Sequence, residues 1–136
     1  MIYYIMVFGS HLILDCNKCE ISSIKDLDNI NDFIDKLCNI GKMTRKGKLI
    51  VQTFEETEFN IKNDLVGYSI VQIISLSNIT LHINFISQTV YLDFFTCGEL
   101  YSNKVIELFK YFFKPETFKK IIIYRDAKEP NNLILV

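Results

Sequence analysis

No stretch of this 136-residue sequence carries a run of one charge: 15 basic and 16 acidic residues are scattered along it, with a net charge of −1. Without a basic patch or stripe there is no electrostatic footprint for nucleic acid or for an anionic membrane, and neither is expected as a partner. Histidine is scarce. His11 and His82 are the only two, and neither stands at metal-ligand spacing from Cys16-Asn-Lys-Cys19. No second cysteine pair completes a zinc site, so no metal is expected and the pair reads as two half-buried thiols at a strand end. Long apolar runs are missing too. Residues 1–8 are apolar but too short to span a bilayer, and they carry no basic residue of a secretory signal. They read as the first strand or its lead-in, the protein as cytoplasmic, and Cys16, Cys19, Cys38 and Cys97 as free of a disulfide framework. No repeat, low-complexity tract or linker divides the chain, so residues 1–136 are expected to form one domain.

What is present can bury a core, with 49% hydrophobic and 23% charged residues. His11 to Asp15 reads as a strand ending in the polar turn 16–19. Ser23, with Asp26 three residues on, is the expected cap of a helix whose apolar face is Leu27, Ile30, Ile34, Leu37 and Cys38, closed by Gly41. Lys48 to Phe54 reads as a strand and Asn60 to Gly67 as a turn-rich loop. From Tyr68 to Phe95 the pattern is β. Asn78, Thr80, His82 and Asn84 alternate with Ile79, Leu81, Ile83 and Phe85, which is the period of a strand with one polar and one apolar face. Ser87-Gln88 is the expected turn into Val90 to Phe95. Ser102 to Lys114 then shows Val105, Leu108, Phe109, Phe112 and Phe113 on one helical face with Pro115 beyond it, and Lys119 to Arg125 is a last strand. The order β-α-β-β-β-α-β predicts an α+β two-layer sandwich, a mainly antiparallel sheet with two helices on one face.

Periodicity carries no function, but an ordered set of short motifs does. Ser75-Leu-Ser77-Asn-Ile-Thr-Leu-His82 lies on the alternating strand, and Tyr91-Leu-Asp-Phe-Phe-Thr-Cys-Gly98 on the next. Gly67-Tyr-Ser69 precedes them, and Gly9-Ser-His-Leu-Ile-Leu-Asp15 with Cys19 opens the series. Taken singly, each is an ordinary strand serine, a solvated histidine or a thiol before a glycine turn. Together, in this order, the chain resembles the small, self-cleaving, pyruvoyl-dependent S-adenosylmethionine decarboxylases. That family's precursor carries Glu-Ser-His-aliphatic-Thr/Ser-Ile-His, then Phe-Thr-Cys-Gly, at the separation that Ser77 and Cys97 show here. The resemblance runs from about Gly9 to Arg125, with an insertion between Phe54 and Gly67.

The resemblance implies a set of roles. Decarboxylating an α-amino acid leaves a carbanion that needs an electron sink, and a keto group made from the chain itself can supply one through a Schiff base with the substrate amine. Ser77 would attack the carbonyl of Leu76, the resulting ester would eliminate, and Ser77 would remain as the pyruvoyl cofactor. His82 would be the acid/base of that elimination, Ser69 a hydrogen-bond donor to the developing oxyanion or ester, and Cys97 the thiol that returns a proton to the substrate carbon. The family's dimer implies a homodimer of cleaved protomers in which two sheets associate. An aromatic stacks on the adenine in that family. Phe54 and Phe59 are the candidates here, and at least one of them is expected in the core.

Three departures stand out. Leu76 replaces the family's glutamate before the serine, Asn78 its histidine after it, and Ile86 the glutamate that binds the ribose in a Thr-Trp-Pro-Glu segment. Three functions remain open on the sequence. In order of preference they are a decarboxylase of S-adenosylmethionine for polyamine (spermidine) synthesis, a pyruvoyl decarboxylase of ornithine or arginine, and an uncleaved regulatory paralogue.

Overall fold

The computed structural model describes residues 9–136, so the strand or lead-in expected at residues 1–8 lies outside the described residues. Its strands are β1 (Gly9–Asn17), β2 (Arg45–Phe54), β3 (Gly67–Ile74), β4 (Ser77–Asn84), β5 (Thr89–Thr96), β6 (Thr117–Arg125) and β7 (Leu133–Leu135). They form one sheet in the order β2-β3-β4-β5-β1-β6-β7, with every pairing antiparallel. Helices α2 (Leu27–Gly41) and α4 (Ser102–Phe113) cover one face, with the short α1 (Ile21–Lys25) beside them. This is the α+β sandwich that the alternation predicts.

The packing follows from the two periods. On β4, Ile79, Leu81 and Ile83 are buried against the helices while Asn78 and His82 face outward. On α2, Ile30, Phe33, Ile34 and Leu37 form the buried stripe, and the Phe33 ring meets Phe109 and Phe113 of α4 edge-on at 5.6 and 5.0 Å. Burying each such ring contributes about 1.5–3 kcal/mol, and truncating Phe33 to alanine would cost about 3–5 kcal/mol. Among the described residues no helix packs across the opposite sheet face. Ile50, Ile73 and Tyr91 stand exposed on it beside Ser69, His82, Asp93 and His11.

Some local details differ from the sequence reading. Ser23 lies inside α1, and Asp26 caps α2 instead, its carboxylate accepting from the amides of Asp28 at 2.9 Å and Asn29 at 3.3 Å. The loop expected from Asn60 to Gly67 contains part of a one-turn helix, α3 (Glu58–Lys62), because the Thr57 hydroxyl accepts the Asn60 amide at 3.1 Å. Strand β7 pairs with β6 through Leu133–Leu135 although it has no alternating pattern to announce it.

Candidate active site

The two-residue turn Ser75-Leu76 joins β3 to β4, with Ile74 opposite Ser77. Leu76 sits there at φ +60° with its side chain 71% exposed. A non-glycine residue in that left-handed region costs roughly 1–2 kcal/mol, so the turn must be held by its surroundings. It is. The Ser75 amide donates to the Thr44 carbonyl at 2.9 Å, and the Thr44 amide donates to the Ser75 hydroxyl at 2.9 Å. From the other side, the Cys97 amide donates to the Leu76 carbonyl at 2.7 Å. Ser77 follows, nearly buried, its hydroxyl donating to Thr96 Oγ1 at 2.7 Å and lying 3.1 Å from Met43 Sδ. The Gly98 amide donates to the same Thr96 oxygen at 2.9 Å. The segment Thr96-Cys97-Gly98 therefore grips both the carbonyl of Leu76 and the hydroxyl of Ser77.

A second cluster lies elsewhere on the sheet. Ser69 of β3 and His82 of β4 are cross-strand partners, and Ser69 Oγ is 3.1 Å from His82 Nδ1. They line a cavity of about 230 Å³ on the open face together with Phe54, Leu65 and Tyr91. Gly67 makes this approach of β3 to β4 possible, since a Cβ at its φ of +155° would stand 1.8 Å from the Ile83 carbonyl oxygen. On the same face His11 Nε2 is 3.0 Å from an Asp93 carboxylate oxygen.

The structure thus gathers Ser77, Leu76 and the Cys97 backbone at one place, and Ser69 with His82 at another. Ser77 points to the helix side of β4 and His82 to the open side. Five residues of strand separate them, about 16 Å at 3.3 Å per residue. Within one chain His82 does not reach Ser77. The Cys97 side chain is exposed just past β5. The expectation that Phe54 or Phe59 packs in the core fails, because both are exposed at the β2–α3 insertion, where no helix covers them. Cys16 and Cys19 are buried rather than half-buried. Burial holds both thiols protonated, with the Cys19 pKa pushed up to about 12. Ile86 is half-exposed at the β4–β5 turn. The Asn84 side chain is engaged in holding this turn, and Glu99 accepts one hydrogen bond. Asn84 Oδ1 accepts from the amides of Ile86 and Ser87, and its amide donates to the Asp64 carbonyl. Glu99 accepts from the Tyr101 hydroxyl at 2.9 Å.

The sequence model of the S-adenosylmethionine decarboxylase family matches residues 10–126. The chain belongs to the S-adenosylmethionine decarboxylase family. No curated protein sequence matches it. Among solved structures, the fold is similar to that of the adenosylmethionine decarboxylase from Aquifex aeolicus VF5, with a TM-score of 0.72 at 15% identity over 92% of this chain and 96% of that one. A decarboxylase is what family membership supports for this chain. Among the described residues no helix is long and apolar enough to cross a membrane, and no group of three or more His, Cys, Asp or Glu side chains is placed to hold a metal ion.

Two features of this candidate site were not singled out from the sequence, the Thr96 hydroxyl and the Cys97 backbone amide. Sequence spacing alone does not place Thr96. A two-residue turn at Ser87-Gln88 would set Gly98 opposite Ser77, whereas the turn spans residues 85–88 and the register it sets brings Thr96 there.

Proposed function

We propose that this chain is a cytoplasmic, pyruvoyl-dependent carboxy-lyase that cuts itself between Leu76 and Ser77 and decarboxylates S-adenosylmethionine for spermidine synthesis. The observation that carries this reading is the 2.7 Å hydrogen bond from the Cys97 amide to the Leu76 carbonyl, beside the near-buried Ser77 hydroxyl. Attack by Ser77 Oγ on the Leu76 carbonyl carbon puts negative charge on the carbonyl oxygen. A fixed backbone donor already aimed at that oxygen stabilises the charge without reorganisation.

The remaining bonds balance. The Ser77 Oγ–C bond forms, the peptide C–N bond breaks, and the hydroxyl proton ends on the Ser77 nitrogen, leaving an ester. Removal of the Ser77 α-proton expels the Leu76 carboxylate, and water replaces the nitrogen to release ammonia. Ser77 with Thr96 and Cys97 around it fits the pyruvoyl group, since a nucleophilic hydroxyl follows a polarised carbonyl. Once formed, that group supplies the electron sink for decarboxylation.

The elimination needs a base, and His82 of the same chain is out of reach. The open sheet face, with its exposed isoleucines around Ser69 and His82, supports a homodimer in which this pair serves the cut hairpin of the second copy. Cys97, exposed just past β5 with its amide on the Leu76 carbonyl, is the proton donor to the decarboxylated carbon in this reading.

The substrate is tested by release of labelled carbon dioxide from S-adenosylmethionine, ornithine and arginine. A carboxylate on a ribose diol makes contacts of roughly 1.5–3 kcal/mol each, and Ile86 offers none. The expectation is release from S-adenosylmethionine with weak saturation, and about a 10- to 1,000-fold gain in kcat/KM in Ile86→Glu for that substrate alone. Release from ornithine or arginine instead, or from none of the three by cleaved protein, overturns the assignment.

A further inference from the structure

Thr96 is fully buried at the end of β5, and its hydroxyl oxygen accepts two hydrogen bonds, from Ser77 Oγ at 2.7 Å and from the Gly98 amide at 2.9 Å. Between the two sits Cys97, whose amide holds the Leu76 carbonyl. We propose that Thr96 is a positioning residue for chain cleavage, its hydroxyl tying the nucleophile of Ser77 to the segment that carries the oxyanion donor. This rests on the self-cleavage reading and adds to it the residue that sets the geometry of its first step.

The physical argument is one of orientation. Ser77 has one hydroxyl proton and two oxygen lone pairs. With the proton directed to Thr96 Oγ1, the lone pairs are left for the Leu76 carbonyl carbon. The competing acceptor for that proton is Met43 Sδ, a weak one, at 3.1 Å. Without the Thr96 oxygen, Ser77 turns toward the sulfur and the Gly98 amide loses its partner, so the Cys97 amide between them is no longer held from that side. Ser77 and Thr96 face each other as cross-strand partners, so the β4–β5 register itself delivers the contact. Thr96 acts only through Ser77 and the Cys97 amide. It forms no bond in the acyl shift, in which the Ser77 Oγ–C bond forms and the Leu76 C–N bond breaks.

The test follows freshly translated full chain by intact mass over time, with and without hydroxylamine, which cuts an ester but not a peptide. Thr96→Val keeps the volume and removes the oxygen, while Thr96→Ser keeps the oxygen. A misplaced nucleophile costs on the order of 100-fold, so Thr96→Val is expected about 100-fold slower with no hydroxylamine-sensitive ester, and Thr96→Ser within about threefold of wild type. His82→Ala, blocked later, accumulates the ester. Thr96→Val cleaving at the wild-type rate, or accumulating ester as His82→Ala does, overturns the positioning role alone. A wild-type chain that stays intact under both conditions overturns the self-cleavage reading beneath it. Should Thr96→Val not fold, Thr96→Ala and Thr96→Ser make the same comparison. Cleavage in both would overturn the role, and cleavage in the serine variant alone would support it.

Discussion

Ser77 and His82 stand five residues apart on β4 and leave it on opposite faces, the serine toward the helices and the histidine toward the open side. An odd separation on a strand always divides side chains in this way. His82 is therefore paired with Ser69 at 3.1 Å and Ser77 with Thr96 at 2.7 Å, in two clusters about 16 Å apart along the strand. In the proposed reaction each cluster holds one part: the Ser77 end the nucleophile and the oxyanion donor, and the His82 end the base beside a cavity.

Mixed assemblies separate action within a chain from action between chains. Ser77→Ala alone and His82→Ala alone should each stay uncut. When they are co-expressed, the His82→Ala chain should be cut in mixed dimers, about half of such chains at equal expression and random pairing. Mixed dimers that form, with neither chain cut, would show that the pair does not act across copies.

In the proposed mechanism Cys97 contributes its amide to cleavage and its thiol to turnover, and the two roles are separable. Cys97→Ala keeps the backbone donor to Leu76 and should still cut, while most productive decarboxylation is lost. Full activity in the cleaved Cys97→Ala protein would remove the thiol from the mechanism.

The left-handed Leu76 is a strained position. In an uncleavable Ser77→Ala background, Leu76→Gly should raise stability by up to about 1 kcal/mol, since glycine enters that region at no steric cost. Denaturant midpoints at constant m-value measure this, and a loss of stability would mean that the turn is not strained by its leucine.

Much of the frame was legible where the signal is local. Alternation in β4 and the apolar faces of α2 and α4 mark the strand and helices, and both periods come from backbone geometry alone. Capping was less so. Ser23 and Asp26 both carry acceptors suited to a helix start, and only the chain path, which makes α1 end before α2 begins, decides for Asp26. Gly67 owes its identity to the Ile83 carbonyl on another strand, which no window around Gly67 contains. The parity of Ser77 and His82 was readable from the period of two. The family resemblance, which joins both residues in one chemistry, does not say that they part within a chain. Thr96 went unremarked because a buried threonine at a strand end is ordinary until its register partner is a nucleophile.

The central claim is that the chain cuts its own peptide bond at a serine held beside a polarised carbonyl. Intact mass of the purified protein under denaturing conditions tests it most directly. The account predicts two fragments, residues 1–76 ending in the Leu76 carboxylate and a C-terminal fragment beginning with a pyruvoyl group at position 77, and a single chain for Ser77→Ala. One uncut wild-type chain of full mass after long incubation would contradict it.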